Sequence, residues 1–267
     1  MLGYLKYTQN TMLLLVLGFI SAADAAEKIK TAFNQDVEIN STYNGALVVS
    51  LGENLTNKSK AEAAEVIQRI NYVGMGGQSH LLLSQPLSNQ QKSHKPQTIP
   101  KRHQLSAQLK LTETAGQFVL PEMDFGVGLV VLEWQQVEQN TSHEFTSTWL
   151  MNPNAGQQFA DKRSQTLSIR PMLNSQFLTI GNDLPVRLYY QMDGVSEILY
   201  AKNHTTGEVT KVTSDAVGMA AVKLNHAGLW TLMVERQEAD KKYTSFLNFN
   251  VKNLAVISAI KNEGAVQ

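Results

Sequence analysis

The sequence predicts a mainly β protein made of two β-rich units, the C-terminal one an antiparallel β-sandwich. Three observations predict it. Six short segments between residues 184 and 251 recur at regular spacing, each bounded by Gly, Asp or Asn, the pattern of antiparallel strands joined by tight turns. Within them apolar and polar residues alternate, as in Val186, Leu188 and Tyr190, so one face of each strand is destined for a core. Segments of helical period are almost absent, the exception lying between Lys60 and Ile70.

Taken in order, residues 1–25 read as a secretory signal. Lys6 precedes an apolar run from Met12 to Ile20, and Ala23-x-Ala25 suits a peptidase that accepts small side chains, placing the cut after Ala25, with Ala22 or Ala23 as alternatives. Only 12 largely apolar residues run from Met12 to Ala23, short of the roughly 20 that span a bilayer as a helix. No later run reaches that length, so an exported, periplasmic or secreted chain is expected, with no transmembrane segment after cleavage.

Residues 26–156 are expected to form the N-terminal β-rich unit. Val37 and Ile39 alternate with polar residues, Asn44-Gly45 is a strong hairpin turn, and Ala46 to Leu51 continues as a strand. Ala63, Val66, Ile67 and Ile70 fall at helical spacing, which predicts a short helix over 60–70. Residues 84–104 hold three Pro and almost no apolar side chains and read as a flexible loop. Leu105 to Leu111, Phe118 to Leu120 and Val127 to Trp134 supply further strands, the last continuously apolar and therefore buried.

Residues 157–175, polar and without a clear period, form the expected connection, and 176–253 the C-terminal sandwich. Its six strands are Leu184 to Tyr190, Glu197 to Lys202, Glu208 to Thr213, Met219 to Leu224, Leu229 to Glu235 and Thr244 to Val251, with Phe177 to Ile180 as a seventh and a turn at Asp193-Gly194. Residues 254–267 are a tail.

Composition narrows the function. With no cysteine, disulfide frameworks, thiolate metal sites and Cys nucleophiles are excluded together. The 23 basic residues balance 23 acidic ones, so there is no excess of Lys and Arg to meet a nucleic-acid backbone. No Gly-x-Ser-x-Gly elbow, His-Glu-x-x-His pair or phosphate loop occurs, and no catalytic residue is assigned; the chain reads as a non-enzyme.

One resemblance adds to this. The order Gly181-x-x-Leu184, Val186-Arg187-Leu188-Tyr189, Asp193-Gly194, Thr213-x-Asp215-x-x-Gly218-x-Ala220, Gly228-x-Trp230 and Tyr243-Thr244-Ser245-Phe246-Leu247-x-Phe249-x-Val251 resembles the C-terminal module of an exported bacterial domain-of-unknown-function family tagged as nickel- or cobalt-uptake associated. The resemblance implies an Ig-like or transthyretin-like sandwich, similar also to carboxypeptidase-regulatory-like modules. It further implies an accessory protein that assists transition-metal uptake, with a divalent metal as ligand and an envelope protein or metal transporter as partner. Family members commonly carry a His near the mature N-terminus. Here Ala26-Glu27-Lys28-Ile29-Lys30-Thr31 has none.

Metal ligation would then fall to the six His, at 80, 94, 103, 143, 204 and 226, none of them at His-x-His or His-x3-His spacing. His94 and His103 share the 84–104 loop and His80 lies just before it, so these three are the metal candidates. Trp134 and Trp230 sit at apolar strand positions and are expected in the core, whereas Trp149 is a candidate half-exposed aromatic at the junction of the units. The alternative function is a structural or adhesion-like module that offers loops or a strand edge to another envelope protein.

Overall fold

The computed structural model describes residues 29, 32–33, 38–41, 47–50, 67–74, 79–84, 110–111, 117–119, 127–138, 141–151, 166–173 and 178–253. The signal, most of the 84–104 loop and the 254–267 tail lie outside them. The N-terminal half contributes β1 (Glu38–Ser41), β2 (Leu47–Ser50), β3 (Ile67–Gly74), β4 (Ser79–Ser84), β5 (Lys110–Leu111), β6 (Gln117–Val119), β7 (Val127–Glu138) and β8 (Thr141–Leu150). The C-terminal half contributes β9 (Leu167–Pro171), β10 (Asp183–Tyr190), β11 (Asp193–Gly194), β12 (Ile198–Asn203), β13 (Val209–Thr213), β14 (Met219–Lys223), β15 (Gly228–Glu238) and β16 (Lys241–Val251).

These strands make three sheets. An eight-stranded sheet runs β13-β12-β15-β16-β8-β7-β3-β4, a four-stranded one β1-β2-β6-β5, and a smaller one sets β10 between β9 on one side and β11 and β14 on the other. Outward from its centre, the large sheet reads last strand, its hairpin partner, then an earlier hairpin, in both directions. The two halves thus repeat one strand plan, and β8 and β16 join them. Among the paired strands described, β8 and β16 alone run parallel, in register from Ser142↔Lys241 to Trp149↔Asn248.

The C-terminal sandwich closes as its alternation predicts. Leu184, Val186, Leu188 and Tyr190 of β10 and Val222 of β14 meet Leu199, Ala201, Trp230, Leu232, Val234, Leu247 and Phe249 of the large sheet in one buried cluster. Burying each large aliphatic side chain contributes about 1.5–3 kcal/mol. Leu129 and Val131 of β7 and Leu150 of β8 belong to the same cluster, so the N-terminal half helps to build the C-terminal core.

Four expectations are corrected. Ile67 to Ile70 open β3 instead of ending a helix over 60–70; residues 60–66 lie outside the described ones. Ile70 is fully buried and faces Leu132 across the β3–β7 pair, and that pairing suits β-branched side chains better than a lone helical turn. The 157–175 connection contains β9, whose Leu167 and Ile169 point into the core. β9 takes the place expected for Phe177 to Ile180, where Thr179 forms only an isolated bridge to Lys252. Finally, the turn falls one step before Asp193-Gly194, at Gln191 (φ 50°) and Met192 (φ 81°), and Asp193 pairs back with Tyr190.

Candidate functional site

The eight-stranded sheet has a second face, and its chemistry differs from that of the sandwich core. Strand alternation puts His143, Phe145, Ser147 and Trp149 of β8 beside Lys242, Thr244, Phe246 and Asn248 of β16. All but Lys242 are buried. Trp134 of β7 stacks on Phe145 at 5.1 Å and on Phe246 at 6.4 Å, both within 3° of parallel. Two polar rungs flank these rings. In one, the Thr231 hydroxyl donates to Asn248 Oδ1, Asn248 Nδ2 donates to Ser147 Oγ at 3.2 Å, and Trp149 Nε1 donates to the same Oγ at 3.1 Å. His204 Nε2 meets Thr231 Oγ1 at 2.8 Å. In the other, His143 Nε2 meets Thr244 Oγ1 at 2.8 Å, and Lys242 pairs with Glu235 at 2.6 Å. Burial, with the Lys242 charge second, pushes the His143 imidazole down from 6.5 to about 3, so it is neutral at pH 7.

This seam is a joint. Its hydroxyls, amides and imidazoles satisfy one another across β8, β15 and β16, with His204 just beyond the end of β12, and satisfied buried groups fix strand register.

A third cluster seals one end of the sandwich core. Tyr190 Oη donates to Glu238 at 2.6 Å, while Arg236 pairs with Glu238 at 2.9 Å and with Glu197 at 2.6 Å and lies 4.5 Å from the Tyr190 ring centroid. Burial and the Glu238 bond push the phenol well above its usual range. The Tyr190 and Arg236 bonds hold the Glu238 carboxyl below the usual carboxylate range. The two carboxylates share the one guanidinium, and the neutral phenol donates to Glu238.

The outer face of β9, β10 and β14 is built differently. Arg187 and Arg170 are cross-strand partners, and both guanidinium groups lie over the Tyr189 ring, at 4.9 and 4.4 Å from its centroid. Arg187 Nε also donates to the Val217 carbonyl at 3.0 Å. Gly194 permits this approach: a Cβ there would sit 2.2 Å from Val217 O and 3.2 Å from the Arg187 guanidinium. Neither arginine has a carboxylate partner among the described residues. Met172, Ala221 and Val217 are exposed around them, and Met219 is half-buried.

The metal candidates are not brought together by anything described. His80 lies on β4 opposite Tyr72, with its side chain outside the description, and His94 and His103 lie outside it altogether. His226 contacts Glu208 at 3.0 Å. No group of three or more His, Asp or Glu is placed to hold a metal among the described residues. Trp134 and Trp230 are core, as expected, but Trp149 is only 7% exposed. The half-exposed reading fails because the parallel β8–β16 pairing covers its indole and Ser147 accepts its N–H. Asp215 is turn chemistry, its carboxylate accepting from the backbone N–H of Val217 and Met219. The arginine pair was missed because Arg170 fell in the segment read as a connection. The alternation that turned Val186, Leu188 and Tyr190 inward already implied that Arg187 and Tyr189 face out.

No protein-family model and no curated protein matches the chain. Among solved structures it is similar to a two-domain fibronectin type-III segment of chicken tenascin, at 12% identity and a TM-score of 0.23, covering 82% of this chain and 98% of that one. It is also similar to a Ca2+-stabilized, ice-binding adhesin of an Antarctic bacterium, at 9% identity and a TM-score of 0.25, covering 82% of this chain and 49% of that one. A third likeness is a 1.5-MDa bacterial ice-binding adhesin, at 9% identity and a TM-score of 0.25, covering 81% and 63%.

Proposed function

We propose that the chain is an exported, non-enzymatic interaction module of the cell envelope, which docks another protein on the outer face of β9, β10 and β14. The observation that carries this reading is the arginine pair stacked on Tyr189, half-buried, without a carboxylate and bordered by exposed Met172, Ala221 and Val217. By contrast, the charged side chains of the seam and of the Tyr190 cluster meet partners within the same cluster. Export is supported by the Ala23-x-Ala25 signal and the absence of cysteine. Assistance of nickel or cobalt uptake rests on the family resemblance alone.

A photo-crosslinking amino acid at Ala221, exposed on the outer side of β14, tests the reading in living cells. A discrete adduct with one envelope protein is expected, and its absence at Ala221 defeats the proposal. N-terminal sequencing of the mature protein should begin near Ala26; an intact Met1 removes the exported part.

A further inference from the structure

We infer that Arg170 and Arg187, held on Tyr189, form a receptor for a carboxylate side chain of the docked protein, an Asp or Glu flanked by apolar residues; this rests on the docking face proposed above. The first support is charge without an ion pair: neither guanidinium lies within ion-pair distance of a described carboxylate, and Asp215, in the turn that holds Arg187, spends its Oδ1 on the backbone N–H of Val217 and Met219. Among the described residues, Arg236, Lys241, Lys242 and His226 each lie within ion-pair distance of a carboxylate. On the outer sheet face, Asp183 sits opposite Lys223, at the far end of β10 from Tyr189. Arg170 and Arg187 have only the aromatic ring between them.

The second support is preorganisation. A free arginine loses considerable rotamer entropy when it binds. Arg187 is already fixed by the Val217 carbonyl, the Tyr189 ring and the backbone at Gly194. A planar guanidinium fixed in this way suits the two oxygens of a carboxylate, which it binds through parallel charge-assisted hydrogen bonds. Val217 O occupies Nε, leaving the terminal nitrogens for a ligand.

The surroundings choose between classes of anion. A nucleic acid or an anionic membrane is held by many cations spread over a face, and this chain is neutral with 23 basic and 23 acidic residues. Two arginines and a tyrosine bordered by Met172, Val217 and Met219 have instead the Arg, Tyr and Met composition enriched in protein interfaces. The partner surface is therefore apolar around its carboxylate.

The test uses a capped, extended hexapeptide with one Glu between Leu and Val, and the same peptide with Gln, titrated into the 15N-labelled mature chain. The Arg170 and Arg187 Nε–H resonances should shift saturably with the Glu peptide, and the Gln peptide should bind about five-fold more weakly. Arg170→Gln, with unchanged melting, should abolish the discrimination; Arg187→Lys, which keeps the charge but not the fork, should reduce it. Equal binding of the two peptides overturns the inference. So does a stronger response of the same resonances to inorganic phosphate or phosphatidylglycerol vesicles, which would make the face a phosphate or membrane site. An Ala221 adduct that persists in Arg170→Gln/Arg187→Gln, with the two peptides bound equally, removes the carboxylate receptor and leaves the docking face standing. No adduct in the parent removes the face itself.

Discussion

His143 and Thr244 meet at 2.8 Å across β8 and β16, the parallel pair through which the two halves share one sheet. Burial and, second to it, the Lys242 ammonium on β16 hold the imidazole in the neutral form, and the Phe145 ring centroid lies 3.7 Å from its own. Glu235 of β15 sits on the same face, where it pairs with Lys242 at 2.6 Å and accepts from the Thr244 hydroxyl at 3.3 Å.

A loss of stability in acid follows. The imidazole has its ordinary value of 6.5 in the unfolded chain and about 3 in the folded one. Above pH 6.5 both states are neutral there and the group contributes no pH dependence. Between 6.5 and 3 the unfolded chain takes up a proton that the folded chain refuses, so stability falls with pH, by at most about 1.4 kcal/mol per unit. His143→Gln should flatten this slope. Urea unfolding at pH 7.5 and 4.5 should show the parent losing about 2 kcal/mol more than the variant; parallel losses would mean that His143 titrates normally.

Asn248 is the centre of the other rung, with Thr231 as donor on one side and Ser147 as acceptor on the other. Asn248→Ala leaves both hydroxyls buried with a lost partner, at a cost of about 2–3 kcal/mol. Because the rung crosses from one half to the other, both should still unfold in a single transition, reported alike by Trp134 and Trp230 fluorescence in single-tryptophan variants. Ser147→Ala added to Asn248→Ala should cost less than the sum of the two changes. Full additivity would show that the groups do not act together.

The C-terminal strands were legible in the sequence because each is local: alternation, a turn residue, alternation again. Leu188 and Trp230 are where that pattern puts them. What could not be read is what depends on distant pairing. Thr141 to Leu150 has too many Ser and Thr to look like a buried strand, and Ser147, Thr148 and Trp149 are buried only because β16 lies beside them. Ile67 and Ile70 fit a helical period as well as a strand, and β7 decides between them. The arginine pair lay half in a segment without a period, so only Arg187 and Tyr189 were visible as outward-facing residues, and their meeting with Arg170 required the β9–β10 register.

Gly194 carries no unusual φ, yet its lack of a side chain is required. A Cβ would lie 2.2 Å from the Val217 carbonyl oxygen, which is backbone and cannot swing aside. Gly194→Ala should push the Asp215 to Gly218 turn away and break the Arg187 to Val217 bond, costing about 1–3 kcal/mol. A lowered melting temperature together with a displaced Arg187 Nε–H resonance is the expected result. An unchanged resonance would mean that the turn yields without disturbing the arginine.

Met192 and Ala239 pose the opposite problem, being side chains where glycine belongs. Their φ values of 81° and 47° lie in the left-handed region, which costs an L-residue about 1–2 kcal/mol. Met192 is 78% exposed, so little packing offsets the strain. Met192→Gly and Ala239→Gly remove it, while the freer unfolded chain takes back about 0.5–1 kcal/mol. Each should raise stability by about 0.5–1 kcal/mol. Gly181, at φ 89° with open space around its missing Cβ, should show the reverse, Gly181→Ala losing about 1 kcal/mol through the backbone alone. Thermal melts of the three variants decide the matter: if Met192→Gly melts lower than the parent, the side chain makes contacts that outweigh its strained backbone.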